Sequence, residues 1–187
     1  MTRQRLRPAY TTDELSRVYS QPYNHRRWQD HRLRISLTLE VTRWVVNSMG
    51  LVSGADLSAG DGTVLSGTRL ERKVLGDLNG AWDVSGRIED TLPSLGPVDL
   101  YVCTETLEHL DDPDLILKTI REKARMLVLS TPVDAWNDAN PEHYWAWGKA
   151  DVDAMLNQAG FETLIYSSCD FRAMGRDHYE FGIWVCQ

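Results

Sequence analysis

Hydrophobic and polar positions change rhythm along the chain. Thr11 and Glu14 have the spacing of a capping box, which predicts a short helix running to about Tyr19. From about Arg26 to Ser48 the apolar residues Trp28, Leu33, Ile35, Leu37, Leu39, Val41, Trp44 and Val45 recur with a loosely helical period, and Gly50 follows as a stop. From Leu51 onward short apolar runs take over. They predict a strand from Leu51 to Leu57, a glycine-rich turn, a short helix from about Thr63, and a strand from Lys73 to Leu78. "VDLYVC" (98–103) and "MLVLS" (126–130) are unbroken apolar strands, as a parallel sheet covered on both faces requires. Between them, Asp112-Pro113 is an N-cap followed by proline at the first helical position, opening a helix to about Lys123. A further helix runs from about Lys149 to Gln158 and stops at Gly160, and Phe161 to Ser167 and Glu180 to Cys186 are strand-like. Strands alternating with helices predict a doubly wound α/β sheet, mostly parallel, whose last two strands form an antiparallel edge pair. One region resists this scheme. Asn79-Gly80 is a hairpin signal between the strand ending near Leu78 and a strand-like run from Trp82 to Ile88. A parallel crossover needs about a dozen residues, so residues 74–90 are expected to form an antiparallel ribbon or to hold an extended loop in place of one strand.

Composition narrows the class. A chain of 187 residues with 42% hydrophobic and 25% charged residues fits one globular domain, read here as 1–187, with a helical segment over 1–50 and the α/β core over 51–187. No apolar run is long enough to cross a bilayer and no signal-like segment opens the chain, so a cytoplasmic location is expected. Cys103, Cys169 and Cys186 lie in strand-like segments without zinc or redox spacing, and are read as buried free thiols. The net charge of −7 is uneven: residues 1–44 hold nine basic against four acidic side chains. A basic start on an acidic body suits an anionic substrate or a solvated helix surface equally.

The glycine stretch "ADLSAGDGTVL" (55–65) stands where the first core strand hands over to a helix. In doubly wound sheets ligands bind at such carboxyl ends, where bare backbone lets them approach. A dinucleotide fingerprint would need glycine at position 65, where Leu65 stands, which argues against a nicotinamide-dependent oxidoreductase. The run Asp56-Leu-Ser58-Ala59-Gly60-Asp-Gly62 resembles the first motif of class I S-adenosylmethionine (SAM) dependent methyltransferases, with Ser58 in place of the usual first glycine. Asp77 stands 21 residues after Asp56, where that family places the acidic residue that holds the ribose hydroxyls. Residues 86–120 resemble the family's next motifs, and "LVLSTP" with "HYWAWGKADVDAMLNQAGFE" resembles its fifth strand and following helix. The resemblance spans about Leu51 to Phe161 and implies a Rossmann-like class I methyltransferase fold. It implies SAM as cofactor, with contacts from Asp56, Ser58, Ala59, Gly60, Gly62, Asp77, Leu78, Ile88, Glu89, Cys103 and Thr104; Ile88 and Glu89 would lie near the adenine and Cys103 would act through its backbone.

"CTETLEHL" (103–110) carries the candidate chemistry. On a helical turn Glu105, Glu108 and His109 would share one face, and two carboxylates with an imidazole suit a divalent cation. Similar E-x-x-E-H runs occur in small-RNA 3′-terminal 2′-O-methyltransferases and ubiquinone-type O-methyltransferases. The former add a histidine in an H-x-F-E-W run, matched in part by His143-Tyr-Trp-Ala-Trp147. The resemblance therefore implies Mg²⁺ or Mn²⁺ held by Glu105, Glu108, His109 and His143, although the imidazoles also suit Fe²⁺, Co²⁺ or Zn²⁺. Such an ion would orient two hydroxyls of an acceptor, a small molecule or an RNA end. Without a metal, His109 is the first choice for general base, with Glu105 beside it. The aromatic and basic residues Tyr19, Tyr23, His25, Arg26, Arg27, Trp28 and Arg34 are expected to form a lid or to meet an anionic acceptor. The rival reading is a non-catalytic nucleic-acid or partner-binding module that keeps the fold. Composition leaves the oligomeric state open.

Overall fold

The computed structural model describes residues 2–19, 29–78, 82–175 and 178–187. In chain order the strands are β1 (Gln4–Arg5), β2 (Ser53–Asp56), β3 (Arg72–Asp77), β4 (Val84–Ser85), β5 (Val98–Thr104), β6 (Ala124–Val133), β7 (Trp145–Ala146), β8 (Thr163–Asp170) and β9 (Glu180–Cys186). The helices are α1 (Thr12–Val18), α2 (Gln29–Met49), α3 (Thr63–Ser66), α4 (Ile88–Thr91), α5 (Pro113–Lys123) and α6 (Lys149–Ala159). Seven strands form one sheet in the order β4-β3-β2-β5-β6-β9-β8, and β1 pairs with β7 in a small ribbon that the hydropathy pattern does not announce.

Local chemistry explains most boundaries. Thr11 caps α1 in a complete capping box with Glu14. Asp112 accepts from the Leu115 amide ahead of Pro113, so α5 begins where the sequence places it. The apolar runs of β5 and β6 are buried on both faces. Tyr101 and Cys103 join the core under α5 and α6, whereas Leu100 and Val102 join Val45, Val46, Val64 and Leu65 of α2 and α3 on the other side. This alternation at a period of two lets one strand serve two layers.

Of the two arrangements expected for residues 74–90, the described residues fit the second: the run from Trp82 to Ile88 is largely loop and holds only β4, which pairs parallel with β3 (Gly76 with Val84), and Ile88 opens α4. The pairing is so short that little sheet geometry has to be satisfied; the Asn79-Gly80 signal lies outside the described residues. The last two strands form the expected antiparallel pair at one edge of the sheet, β9 lying between β6 and the outermost β8. Insertion buries all the apolar side chains of β9, while β8 alternates between half-buried and exposed. Cys103 and Cys186 are buried and free as expected, whereas Cys169, on the edge strand, is half-buried. Of the helix expected from Arg26, the described part begins at Gln29; Tyr23, His25, Arg26, Arg27 and Trp28 lie outside the described residues. No described helix is long and apolar enough to cross a membrane.

The strand order reverses between β2 and β5. Asp56, Asp77 and Thr104 therefore end on the same rim of the sheet, at the switch point where doubly wound folds bind ligands.

Candidate active site

The glycine loop is built by hydrogen bonds to two acidic side chains. Asp56, 2% exposed at the end of β2, accepts from the Ser58 amide (3.1 Å). Asp77, at the end of β3, accepts from the Gly60 amide (2.8 Å), and the Ala59 amide reaches the Gly76 carbonyl (2.9 Å). Gly60 and Gly62 have φ of 55° and 71°, a left-handed region that a side chain makes costly. A Cβ on Gly60 would meet nothing within 4 Å, so the loop presents bare backbone to open space there. One on Gly62 would lie 2.7 Å from the Trp82 ring. Gly62→Ala is expected to cost about 1–3 kcal/mol from strain and overlap, read as a lower midpoint in urea unfolding with an unchanged slope.

Burial pushes the Asp56 carboxyl up to about 7; the Ser58 hydrogen bonds hold it down and the Asp77 charge adds to the rise. A buried carboxylate in this state gains from a cationic partner. Ser58 also shares a hydrogen bond with Thr106 (2.7 Å), which ties the glycine loop to the segment that follows β5. Of the other residues assigned to the cofactor, Thr104 ends β5, Cys103 turns its thiol into the core, Leu78 follows β3, and Ile88 opens α4. Glu89 pairs with Arg87 at 2.8 Å. Tyr19, capping α1, donates to Glu142 (2.9 Å). Burial pushes its hydroxyl far up, and the Glu142 charge adds to that.

The carboxylates and histidines after β5 do not share one helical face. Glu105 has φ of 52°, and only Leu107–His109 form a single 3₁₀ turn. The physical reason is competition for Glu105. Its amide donates to the Ser130 carbonyl (2.9 Å), its carboxylate accepts from the Ser130 hydroxyl (2.9 Å), and the Arg34 guanidinium stands 3.6 Å away. What comes together instead is Glu108, His109 and His143, whose ligand atoms lie within 4.8 Å of one another. His109 and His143 stack edge to face at 4.7 Å between centroids.

Glu108 is 1% exposed and accepts from the Thr131 hydroxyl (3.1 Å) through one oxygen; its other oxygen, Oε1, is buried with no hydrogen-bond partner. Burial, and next the Glu105 charge, push its carboxyl up to about 8. Burial disfavours charge on His143, yet Asp138 and Glu108 outweigh it and raise the imidazole. His143 Nδ1 lies 2.6 Å from Asp138 Oδ2, and Asp138 also accepts from the Tyr179 hydroxyl (2.9 Å) and the Asn140 amide (2.8 Å). This is the carboxylate–histidine arrangement that orients metal ligands. Sequence reasoning missed Asp138, Tyr179 and Thr131. Asp138 had a local signal, its Asx-type bond two residues on and five before His143; Tyr179 and Thr131 had none.

Glu108 gives the fold a pH dependence. Its pKa is raised from 4.5 to about 8 in the folded state, so folded chains hold a proton that unfolded chains have released between those values. Asp56 acts with the same sign. Thermal stability is therefore expected to fall as pH rises from about 5 to about 8. A melting series in which it rises instead would contradict this environment for Glu108.

Sequence comparison finds no matching protein family and no related curated protein. Comparison with solved structures does find similar folds. The N-methyltransferase NodS from Bradyrhizobium japonicum in complex with S-adenosyl-L-homocysteine (SAH) is 16% identical, with a TM-score of 0.65 over 92% of this chain and 96% of that one. The 1,6-didemethyltoxoflavin-N1-methyltransferase of Burkholderia thailandensis is 14% identical, with a TM-score of 0.65 over 96% and 91%. This is a class I methyltransferase fold. Magnesium protoporphyrin IX methyltransferase from Synechocystis PCC 6803 with bound SAM shares it too, at 16% identity and a TM-score of 0.60 over 93% and 89%.

Proposed function

We propose that this protein is a SAM-dependent methyltransferase that methylates an oxygen of an acceptor with neighbouring hydroxyls, assisted by a divalent cation. The observation that carries the reading is the buried Glu108 Oε1, which lacks a hydrogen-bond partner while Glu108 faces His109 and His143. Burying a carboxylate oxygen unpaired is costly, and a cation repays that cost.

The methyl donor's seat is the glycine loop. Asp56 would receive the ammonium of the methionine part, a cation that restores its ionised form, and Asp77 would accept from the ribose hydroxyls. Ile88 and Glu89 would flank the adenine, and the backbone of Cys103 and Thr104 would close the far side. Bound SAM supplies an electrophilic sulfonium methyl group. Transfer is a substitution in line with that carbon, so the chain's task is placement of the acceptor oxygen and removal of its proton.

Glu108, His109 and His143 would hold the cation, which when bound lowers the pKa of an acceptor hydroxyl. Their mixed oxygen and nitrogen donors suit Mn²⁺ and admit Mg²⁺. Asp138 keeps the His143 ring oriented toward the cluster, and Thr131 holds the second oxygen of Glu108. Glu105 stands aside, engaged with Ser130 and Arg34. The bond between Ser58 and Thr106 couples the donor seat to this cluster. Tyr19 and α1 form part of a cover over the donor.

Titration calorimetry with SAM and SAH tests the reading, with micromolar binding expected. Neither ligand binding in that range would refute it and favour a non-catalytic module.

A further inference from the structure

The buried Arg34 that pairs with Glu105 has a donor that the proposed reaction does not use. Arg34 projects from the inner face of α2 and is 3% exposed. Its guanidinium lies over the Phe181 ring (5.2 Å), which fixes the plane of the group. Its charge is paired by Glu105 in an ion pair (3.6 Å), and its N–H groups meet Ser130 Oγ at 3.5 Å and His31 Nδ1 at 3.2 Å. Among the described residues, its Nε has no hydrogen-bond partner. One turn earlier, Asp30 spends Oδ2 on His178 (2.8 Å) rather than on Arg34, and its Oδ1 also has no partner. A buried guanidinium is stable only when its donors are met. Among the described residues, the Arg34 charge is thus paired by Glu105, while its Nε–H and one oxygen of Asp30 are buried without a hydrogen bond.

We propose that Arg34 is the seat of an anionic group, a carboxylate or phosphate, on the methyl acceptor. The Nε edge of a guanidinium offers two parallel N–H donors that match the paired oxygens of either group, and here the Nε half of that edge is unclaimed. Position agrees with chemistry. Arg34 stands 3.6 Å from Glu105, three residues before Glu108 on the segment that follows β5, so the anion seat and the proposed hydroxyl site adjoin the same carboxyl rim of the sheet. An acceptor of modest size spans both. The substrate class follows: a diol bearing a nearby negative charge, as in a hydroxylated aromatic acid or a sugar phosphate. This deepens the methyltransferase reading and rests on it for the word acceptor; the anion seat itself does not.

Two measurements decide it. In ¹⁵N NMR of the full chain, the Arg34 Nε–H resonance, assigned through its connectivity to α2, is expected to shift saturably with inorganic phosphate and not with equimolar chloride. In calorimetry of SAH-loaded protein with Mn²⁺, 3,4-dihydroxybenzoate is expected to bind at least tenfold more tightly than catechol, or ribose 5-phosphate at least tenfold more tightly than ribose; the pair showing the preference identifies carboxylate or phosphate. Arg34→Gln should erase that preference while leaving the neutral compound's affinity and SAH binding unchanged, and Arg34→Lys should restore part of it. A resonance unmoved by phosphate and both charged probes, an equal shift with chloride, or equal loss of charged and neutral binding in Arg34→Gln would overturn the proposal. A phosphate-induced shift in a protein that fails to bind SAH would refute methyl transfer and leave the anion seat standing.

Discussion

Glu108→Gln is expected to make the metal-free protein more stable and, under the proposed function, to remove nearly all methyl transfer. The two effects have opposite signs for one reason. Glu108 is buried, carries an oxygen without a hydrogen-bond partner, and has its carboxyl pushed up to about 8 by burial and the Glu105 charge. A neutral amide of nearly the same shape removes the desolvation cost, a gain of about 1–3 kcal/mol near pH 8. It also flattens the decline in stability between pH 5 and 8. The same change removes the anionic member of the Glu108, His109 and His143 cluster. Turnover stimulated by Mn²⁺ or Mg²⁺ should fall at least a hundredfold, while SAH affinity stays within about twofold, because the donor seat is built by other residues. His143→Ala should lose the same turnover but destabilise, since it leaves Asp138 buried without its imidazole partner. Wild-type activity that persists in excess chelator, or Glu108→Gln retaining metal-stimulated turnover, would remove the metal from the mechanism.

Asp77→Ala is expected to abolish tight binding of the methyl donor. Asp77 ends β3 and accepts from the Gly60 amide at 2.8 Å, so it shapes the glycine loop even before a ligand arrives. Under the proposed function its carboxylate also takes the ribose hydroxyls. Hydrogen bonds to a charged group contribute about 1.5–3 kcal/mol each, so losing two should weaken SAH at least a hundredfold. Asp77→Asn keeps acceptor geometry without charge and should fall in between. Calorimetry reads the affinity, and a melting curve close to wild type shows that the fold survives. Unchanged SAH affinity in Asp77→Ala would place the donor elsewhere.

The sequence by itself determined the local elements and the glycine loop. The capping box at Thr11, the Asp112-Pro113 start of α5 and the apolar runs of β5 and β6 are readable because each is decided by neighbours in the chain. Asp56, Gly60, Gly62 and Asp77 are readable because strand ends and left-handed turns leave their mark on residue type. Tertiary structure alone decided three things. It placed β9 between β6 and β8, since a strand apolar on both faces gains from an interior position covered by a layer on each side, while the half-polar β8 tolerates the edge. It drew Glu105 away from Glu108 and His109, because Ser130 and Arg34, distant in sequence, compete for that carboxylate. And it supplied Asp138 and Tyr179 to His143, a network whose members meet only when the 138–143 loop and the start of β9 pack together. Periodicity records which face of an element is buried; it carries no record of which distant polar group will satisfy a buried charge.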